Sequence, residues 1–309
     1  MRIAIVGAGA MGSLFGALLS TVANVWLVDP WEEHIAAIRR DGLRLIEPNG
    51  ERSFTISATT NPLDAAPTDL AIIQLKSYQT KWGAEVARDI LKENGLALTL
   101  QNGVGNYEVL CSVLGTARAW QGVTTHGATL LGPGRVRHAG SGPTHLDARP
   151  DLAERAEEVA RLFQRAGLET HFTENIDGLV WGKLLVNVGI NALTALLRVP
   201  NGVLSQNPVA RTLLEKAVAE AAQVVRAKGI DLPYEDPIAK TLEVAVATGA
   251  NRSSMLQDVL RGTPTEIDVI NGAVVREAGL LGLSAPVNEM LAELIKAIEE
   301  TYRSRILGS

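Results

Sequence analysis

The first twelve residues constrain the fold most strongly, because they join a short apolar strand, Ile3–Val6, to a glycine-rich turn. In a G-x-G-x-x-G turn, the first glycine permits a tight bend, the second lets a pyrophosphate approach the backbone, and the third lets helix and strand pack closely. The N–H groups at the start of the helix then face the phosphates. The pattern predicts a Rossmann dinucleotide-binding fold. The residues expected to contact the cofactor are Gly7, Ala8, Gly9, Ala10, Met11 and Gly12.

An acidic residue, Asp29, lies 22 residues after Gly7 and ends the second apolar run, Val25–Val28. A carboxylate at this point accepts a hydrogen bond from the adenosine ribose 2′-OH of NAD and repels the 2′-phosphate of NADP. The segment that follows, Pro30-Trp31-Glu32-Glu33-His34, contains no arginine. The sequence therefore favours NADH over NADPH. The alternative is a loop rearrangement that brings Arg39 or Arg40 to a phosphate.

The first half of the chain alternates between short apolar runs and longer stretches with helical spacing, which predicts parallel strands joined by helical crossovers. The expected strands are 3–6, 25–28, 70–75 and 96–100, and the expected helices are 11–20, 32–40, 80–91 and 107–114. Shorter strands at 118–124, 135–138, 144–146 and 169–172, with a helix at 152–166, complete this domain.

From Asn175 onward, strand signals disappear and long amphipathic segments follow one another, punctuated by Pro or Gly. These segments are 176–197, 208–228, 236–248, 254–260, 265–280 and 286–305. The sequence thus predicts a doubly wound α/β domain at 1–174 that binds the dinucleotide, and an all-α domain at 175–309 that binds substrate and carries catalysis.

Composition excludes several classes of protein. The net charge of -5 argues against nucleic acid or an anionic membrane as the main partner, since both are usually met by a basic face. The single cysteine, Cys111, can form neither an internal disulfide nor a Cys-rich metal site, so no metal is expected. The start of the chain lacks the features of a signal peptide, and we expect no apolar run to reach the ~18 residues of a membrane span. These features predict a cytoplasmic protein.

Two segments bring polar groups to the ends of expected strands, where ligands bind in open parallel sheets. Lys76 follows the strand at 70–75, and Asn102 follows the strand at 96–100. Lys76 can bring a cation to a ribose, a phosphate or a substrate, and Asn102 can position the nicotinamide ribose or the substrate. The alternatives are a solvated surface lysine and a helix-capping asparagine. His126 also lies at a strand end, but a lone histidine there is interpreted as structural.

Lys183, Asn187 and Asn191 follow one another at intervals of four residues, so a helix places them on one face. Their neighbours are apolar, which predicts a largely buried helix. Because a buried polar group without a partner costs about 1–3 kcal/mol, these three side chains need partners. A substrate with a ketone and a carboxylate would provide them. The alternative is a polar network that braces the domain.

Seven motifs occur in an order that resembles the ketopantoate reductase (2-dehydropantoate 2-reductase) family, over essentially the whole chain. Besides the glycine loop they are Leu75-Lys76, Gln101–Gly105, Trp181–Leu184, Pro200-Asn201-Gly202, Ser253–Asp258 and Thr265–Gly272. The resemblance implies a Rossmann domain followed by a helical domain of the 6-phosphogluconate dehydrogenase type. It also implies reduction of the ketone of 2-dehydropantoate to (R)-pantoate, on the route to pantothenate and coenzyme A.

The resemblance further implies roles for individual residues. Lys183 would be the catalytic lysine, and Glu266 would hold its ammonium or bind the nicotinamide ribose. The residues implied to bind substrate are Lys183, Asn187, Asn191, Asn201 and Ser254, and those implied to contact the cofactor are Asn102, Ala128 and Glu266, with Lys76 close by. Without the resemblance, Ser254 and Glu266 would be interpreted only as residues of helix starts.

One position departs from the family's pattern. Members that use NADPH, the family's usual cofactor, commonly carry an arginine near the end of the second strand, where this chain has Asp29. The expected cofactor is therefore NADPH or NADH, and the expected small-molecule substrate is a 2-oxo acid, either 2-dehydropantoate or another branched one. A non-catalytic nucleotide sensor is the remaining alternative. A homodimer formed through the helical domain is also expected.

Overall fold

In the computed structural model, which describes residues 1–304, the chain separates into two units. The first, called the Rossmann unit here, contains Met1–Gln101 and Gly105–Ile176. The second, called the helical unit, contains Asn102–Val104 and the chain from Asp177 onward. Asn102, which the sequence places in the dinucleotide-binding domain, therefore packs with the helical unit.

The Rossmann unit contains twelve strands and five α-helices. Its strands are β1 Arg2–Val6, β2 Asn24–Val28, β3 Leu43–Glu47, β4 Gly50–Phe54, β5 Ser57–Thr59, β6 Thr68–Ile73, β7 Leu91–Thr99, β8 Ala119–Thr124, β9 Gly127–Gly132, β10 Arg135–Gly140, β11 Thr144–Asp147 and β12 Thr170–Thr173. Its helices are α1 Ala10–Leu19, α2 Glu32–Asp41, α3 Thr80–Ile90, α4 Asn106–Leu114 and α5 Ala153–Arg165.

The main sheet has eight strands in the order β12-β11-β8-β7-β6-β1-β2-β5. Six neighbouring strands of this sheet run parallel: β8, β7, β6, β1, β2 and β5. At the other edge, β11 pairs antiparallel with β8. The strand order reverses between β1 and β6, so the carboxyl ends of these two strands form the topological switch point where ligands bind in such sheets. After Arg2, β1 is apolar, with Ile3, Ala4, Ile5 and Val6 fully buried, as expected for a strand covered on both faces.

A second sheet of four strands, β4-β3-β10-β9, was only partly predicted. The strand β10 was expected, but β3, β4, β9 and the short β5 were not. The hairpin β3–β4 had a usable signal, because Leu43 and Leu45 alternate with Arg44 and Asn49-Gly50 joins the turn to β4. The strand β9 had little signal, since it begins and ends with glycine and its residues are only half-buried or exposed.

The described part of the helical unit contains α-helices and 3₁₀ turns, so the prediction of a Rossmann domain followed by an all-α domain is confirmed. Its α-helices are α6 Ile176–Leu197, α7 Val203–Gln206, α8 Pro208–Ala227, α9 Pro237–Ala247, α10 Ser254–Arg261, α11 Asn271–Leu280 and α12 Pro286–Glu300. The segment 265–280 was predicted as one helix but begins with a 3₁₀ turn, Ile267–Val269. Residue 305, the end of the last predicted helix, lies outside the described residues.

The helix α6 corrects one expectation from the sequence. Its 22 residues are long and apolar enough to cross a membrane by length and composition, although no apolar run of that size was expected. However, 72% of its most apolar window is buried inside the protein. Its apolar side chains form the core of the helical unit, with Leu185 and Val188 fully buried. The helix therefore has the burial of a core helix, and its length alone is weak evidence for a membrane span.

Candidate active site

The three glycines of the first loop occupy three different environments. Gly7 has φ of 100°, and a Cβ there would lie 2.9 Å from the carbonyl carbon of Gln74. A Cβ on Gly12 would lie 1.8 Å from the carbonyl oxygen of Gly7. A Cβ on Gly9, in contrast, would meet no atom within 4 Å. Gly7 and Gly12 are thus required by the packing of the loop, whereas the absence of a side chain at Gly9 leaves space for a ligand.

The N-terminus of α1 lies next to this space, and no side chain neutralises its partial positive charge. No side chain caps the helix, and its first turn contains no acidic residue. The first N–H groups of an α-helix have no partner within the helix, and they attract anions. The open space at Gly9 and these N–H groups together fit the pyrophosphate of a dinucleotide.

The carboxylate of Asp29 is fixed by the backbone around it. Its Oδ2 accepts a hydrogen bond from the Ala8 N–H at 2.7 Å, and its Oδ1 accepts one from the Trp31 N–H at 2.9 Å. Asp29 directly follows β2 and is half-buried. It therefore holds the glycine loop in place, a role that the sequence did not predict. Each carboxylate oxygen has a second lone pair for a ribose hydroxyl.

Lys76 and Ala128 lie in the Rossmann unit at two other points. Lys76 is half-buried at the start of a 3₁₀ turn, Ser77–Gln79, just beyond the end of β6. The preceding residue is held by Gln101, whose Nε2 donates to the Leu75 carbonyl oxygen at 2.9 Å. Ala128 is half-buried in β9, where it pairs with His138.

In the helical unit, Lys183 is half-buried on α6, and the nearby residues Trp181 and Leu184 are buried. Burial lowers the pKa of the Lys183 ammonium to about 8, and the negative charge of Glu266 opposes part of that shift. Glu266 is only 6% exposed and immediately precedes the 3₁₀ turn Ile267–Val269. The structure thus brings together two ionisable residues that lie 83 positions apart, and it leaves the lysine able to exchange a proton near neutral pH.

The two asparagines that follow Lys183 on α6 differ in burial. Asn187 is half-buried, whereas Asn191 is buried. Close to Asn191, the hydroxyls of Thr194 and Ser253 are 2.7 Å apart, and the Ser253 hydroxyl accepts a hydrogen bond from the Leu256 N–H. This contact joins the start of α10 to α6. Ser254, as the first residue of α10, is therefore placed relative to the polar face of α6.

Asn201 and Asn102 also belong to the helical unit. The Asn201 side chain donates to the Thr248 hydroxyl at 2.9 Å, while its buried Oδ1 accepts no hydrogen bond from the residues described. Asn102 precedes Gly103, which has φ of 85°, and the next N–H, of Val104, donates to the Val269 carbonyl oxygen at 3.3 Å. Val269 ends the 3₁₀ turn that Glu266 precedes, so this contact links the Asn102 segment to the Glu266 segment.

Sequence reasoning missed Asn271, a fully buried residue at the start of α11. Its side-chain amide donates to the Val188 carbonyl oxygen at 3.3 Å and to the Asn288 side-chain oxygen at 3.0 Å. Asn271 therefore ties α11 to the part of α6 that carries Asn187 and Asn191. Its place in the Thr265–Gly272 motif was visible in the sequence, but its partners were not. Among residues 1–304, no group of three His, Cys, Asp or Glu residues could hold a metal ion.

Comparison with known proteins gives matches over nearly the whole chain. Residues 3–151 match the family model "Ketopantoate reductase PanE/ApbA", and residues 175–299 match "Ketopantoate reductase PanE/ApbA C terminal". The 2-dehydropantoate 2-reductase of Pyrococcus horikoshii is 41% identical, with 97% of this chain and 98% of the relative covered. That of Halobacterium salinarum is 39% identical, with 96% and 98% covered.

Two solved structures have similar folds. A PanE/ApbA family ketopantoate reductase from Ralstonia eutropha has a TM-score of 0.91 at 32% identity, and the match covers 98% of this chain and 100% of that one. A ternary structure of D-mandelate dehydrogenase with NADH and anilino(oxo)acetate has a TM-score of 0.90 at 29% identity, with the same coverage.

The loop geometry predicts opposite effects for two alanine substitutions. We expect Gly12→Ala to destabilise the protein by about 1–3 kcal/mol, because its Cβ would clash with the Gly7 carbonyl. We expect Gly9→Ala to leave the unfolding transition unchanged or slightly higher, yet to weaken dinucleotide binding at least ~10-fold, because the methyl group occupies the ligand's space. Thermal unfolding and fluorescence titration with NADH and NADPH measure both effects. Unchanged dinucleotide affinity in Gly9→Ala would contradict this account of the loop.

Proposed function

Because the chain belongs to the ketopantoate reductase family, we propose that it reduces the ketone of 2-dehydropantoate to (R)-pantoate with a nicotinamide cofactor. The observation that carries this proposal is Lys183, which is half-buried on α6, interacts electrostatically with Glu266 and has its pKa lowered to about 8. A ketone reductase needs such a group, because the oxygen of the ketone must gain a proton as its carbon gains a hydride.

We assign the two parts of the reaction to the two parts of the chain. Residues 1–174 bind the dinucleotide, through Gly7–Gly12, Asp29, Lys76 and Ala128. Residues 175–309 bind the oxo acid and carry catalysis. We also assign Asn102 and Glu266 to cofactor binding. Glu266 has the additional role of interacting with Lys183. The nicotinamide, when bound, supplies the hydride.

Lys183 has two tasks in this mechanism. Its ammonium donates a hydrogen bond to the ketone oxygen and so polarises the carbonyl group for hydride attack. As the carbonyl carbon gains the hydride, the ammonium transfers one proton to the oxygen and yields the alcohol. Lys183 is then neutral, a state that its burial favours, and it regains a proton from solvent before the next turnover. Glu266 keeps the proton affinity of the lysine from falling further.

The polar residues near Lys183 would hold the substrate. Asn187 and Asn191 lie on the same face of α6, and their amides can donate to the carboxylate and accept from a hydroxyl. The orphaned Oδ1 of Asn201 offers a further acceptor for a substrate hydroxyl. Ser254 lies at the start of α10, where a hydroxyl and free N–H groups favour an anion.

A second candidate substrate is another branched 2-oxo acid. The similar fold of D-mandelate dehydrogenase favours this reading, because that structure contains NADH and an oxo acid with an aromatic substituent. The catalytic requirements at the ketone are the same for both substrates, so the difference lies in the pocket that receives the side chain.

We further propose that NADH is the preferred cofactor. Asp29 presents a fixed negative charge beside the glycine loop. An anion in this position repels the 2′-phosphate of NADPH and accepts from the 2′-OH of NADH. We also propose a cytoplasmic protein that needs neither nucleic acid nor a membrane, and a homodimer formed through the helical unit. The exposed apolar side chains Met290 and Leu294 on α12 support the dimer.

The reaction itself is tested with a substrate panel. We expect 2-dehydropantoate to give the highest kcat/KM among 2-oxo acids that include 2-oxoisovalerate and phenylglyoxylate. Lys183→Ala should lower kcat at least ~10³-fold while its affinity for the cofactor stays within about twofold, because the lysine acts on the ketone. Lys228→Ala, which removes a lysine paired with Glu277 in the same unit, is the matched control. Near-wild-type turnover in Lys183→Ala would refute the mechanism.

The pH dependence of reduction follows from the pKa of Lys183. Reduction needs the protonated lysine, so kcat/KM should fall about tenfold per pH unit above pH ~8. The Glu266 carboxylate raises this pKa, so Glu266→Gln should move the falling limb to lower pH. Glu277→Gln, which removes an acid of the same unit that pairs with Lys228, should leave the limb in place. A limb that does not move in Glu266→Gln would show that another group controls it.

Cofactor preference is tested with Asp29→Asn. The wild-type enzyme should have a higher kcat/KM with NADH than with NADPH. An asparagine keeps an acceptor for the Ala8 N–H but removes the negative charge, so the NADH-to-NADPH ratio should fall about tenfold or more. Asp29→Ala should weaken both cofactors, because the loop also loses its tether. A strong preference of the wild-type enzyme for NADPH would overturn this interpretation of Asp29.

A further inference from the structure

A fully buried histidine lies beneath the glycine loop and has no role in the mechanism above. His34, on α2, is 0% exposed. Its ring stacks on the half-exposed ring of Trp31, with ring centroids 4.9 Å apart and planes inclined by 10°. A buried imidazole needs partners for both of its nitrogens, so the identity of those partners shows which nitrogen carries the proton.

Each nitrogen has one partner. The Gly134 N–H donates to Nδ1 at 3.0 Å, and only an unprotonated nitrogen can accept this bond. The proton of the neutral ring therefore lies on Nε2, which is 3.2 Å from the Ser13 hydroxyl oxygen. Burial lowers the pKa of His34, while the charge of Asp29 and the backbone of Ala8 oppose part of the shift, so the ring is held in its neutral form.

The hydrogen bonds continue in one direction to the loop. Since Nε2 donates to the Ser13 oxygen, the Ser13 hydroxyl proton is free to donate elsewhere, and it bonds to the Ala8 carbonyl oxygen at 2.8 Å. We call the path Gly134–His34–Ser13–Ala8 the loop relay. On the other side of the same residue, the Ala8 N–H donates to Asp29. Both backbone polar groups of Ala8 are thus fixed by side chains.

The orientation of Ala8 determines the direction of the next donor. In a trans peptide, the C=O of one residue and the N–H of the next point in opposite directions. Because the Ala8 carbonyl is turned toward Ser13, the Gly9 N–H is turned away from Ser13. Gly9 is also the residue where a Cβ would meet no atom within 4 Å. The relay therefore fixes a donor at the open part of the loop.

We propose that His34 is a positioning residue for dinucleotide binding, which acts through Ser13 to orient the Ala8–Gly9 peptide toward the phosphates. This inference rests on the proposed function in that the glycine loop must bind a dinucleotide. It places a determinant of cofactor affinity on α2, outside the glycine loop. A histidine that only fills space would contribute to stability alone, whereas a positioning residue also contributes to affinity for the cofactor.

The test compares three changes along the relay. His34→Leu removes the donor to Ser13, Ser13→Ala removes the donor to Ala8, and His34→Gln restores an N–H donor in a similar position. His145→Leu, which replaces a half-buried histidine on β11, is the matched control. Affinities for NADH and NADPH are measured by fluorescence titration, together with kcat, the KM for each substrate and the melting temperature.

We expect His34→Leu and Ser13→Ala each to raise the Kd for the preferred dinucleotide about tenfold, with kcat at saturation and the KM for the oxo acid within about twofold of wild type. His34→Gln and His145→Leu should retain wild-type affinity. The double variant His34→Leu/Ser13→Ala should also lose about tenfold rather than a hundredfold, because both changes break the same path.

Three outcomes would contradict the proposal or its premise, and they are distinguishable. Wild-type protein that binds neither dinucleotide would overturn the proposed function. Wild-type affinity in folded His34→Leu or Ser13→Ala would overturn the proposed role of His34 but not the proposed function. Losses of affinity that multiply in the double variant would have the same consequence. If His34→Leu does not fold, Ser13→Ala with and without His34→Gln decides the question, because the relay predicts that His34→Gln adds no loss to Ser13→Ala.

Discussion

The close approach of Gly12 to Gly7 is the constraint on which the Rossmann unit depends. With only hydrogen on its Cα, Gly12 lets α1 begin almost in contact with the end of β1, the strand beside the topological switch point. The uncapped start of α1 is thereby fixed at the edge of the sheet, where its N–H groups can attract an anion. Other parts of the unit then hold the turn: Asp29 from the end of β2 and His34 from α2.

A different constraint governs the helical unit, where a half-buried lysine lies among apolar residues. The apolar surroundings of α6 disfavour the ammonium of Lys183, and the Glu266 carboxylate restores part of its stability. Full compensation by a tight ion pair would keep the pKa high and make the lysine a poor proton donor. Burial without a carboxylate would lower the pKa further and weaken the hold of the lysine on its proton. A pKa of about 8 lies between these limits and gives a lysine that is mostly charged at neutral pH, yet acidic enough to release its proton.

The sequence predicted those features that depend on local patterns. The glycine spacing, the apolar β1 and the acidic residue after β2 each lie within one short segment, so the Rossmann fold followed from them. The spacing of Lys183, Asn187 and Asn191 likewise placed them on one helix face. In contrast, His34 accepts a bond from a residue 100 positions away, and Thr194 contacts Ser253 across 59 positions. Such contacts depend on tertiary structure, which periodicity does not encode. The strand β9 was missed because glycine at both ends and partial exposure weakened its signal, whereas the signal of the β3–β4 hairpin was local and was overlooked.

Asp29 links cofactor choice to the geometry of the loop. Its carboxylate accepts from the Ala8 N–H, and an arginine at this position has no acceptor to replace it. A relative that carries arginine near the end of the second strand must therefore satisfy the Ala8 N–H in another way or orient the loop differently. Under the proposed preference for NADH, a change toward NADPH requires two separate alterations: a cation for the 2′-phosphate and a new acceptor for the Ala8 N–H. The glycine loop has the space and the N–H groups for a dinucleotide, and the proposed choice between the two dinucleotides depends on Asp29, the residue that also fixes the loop.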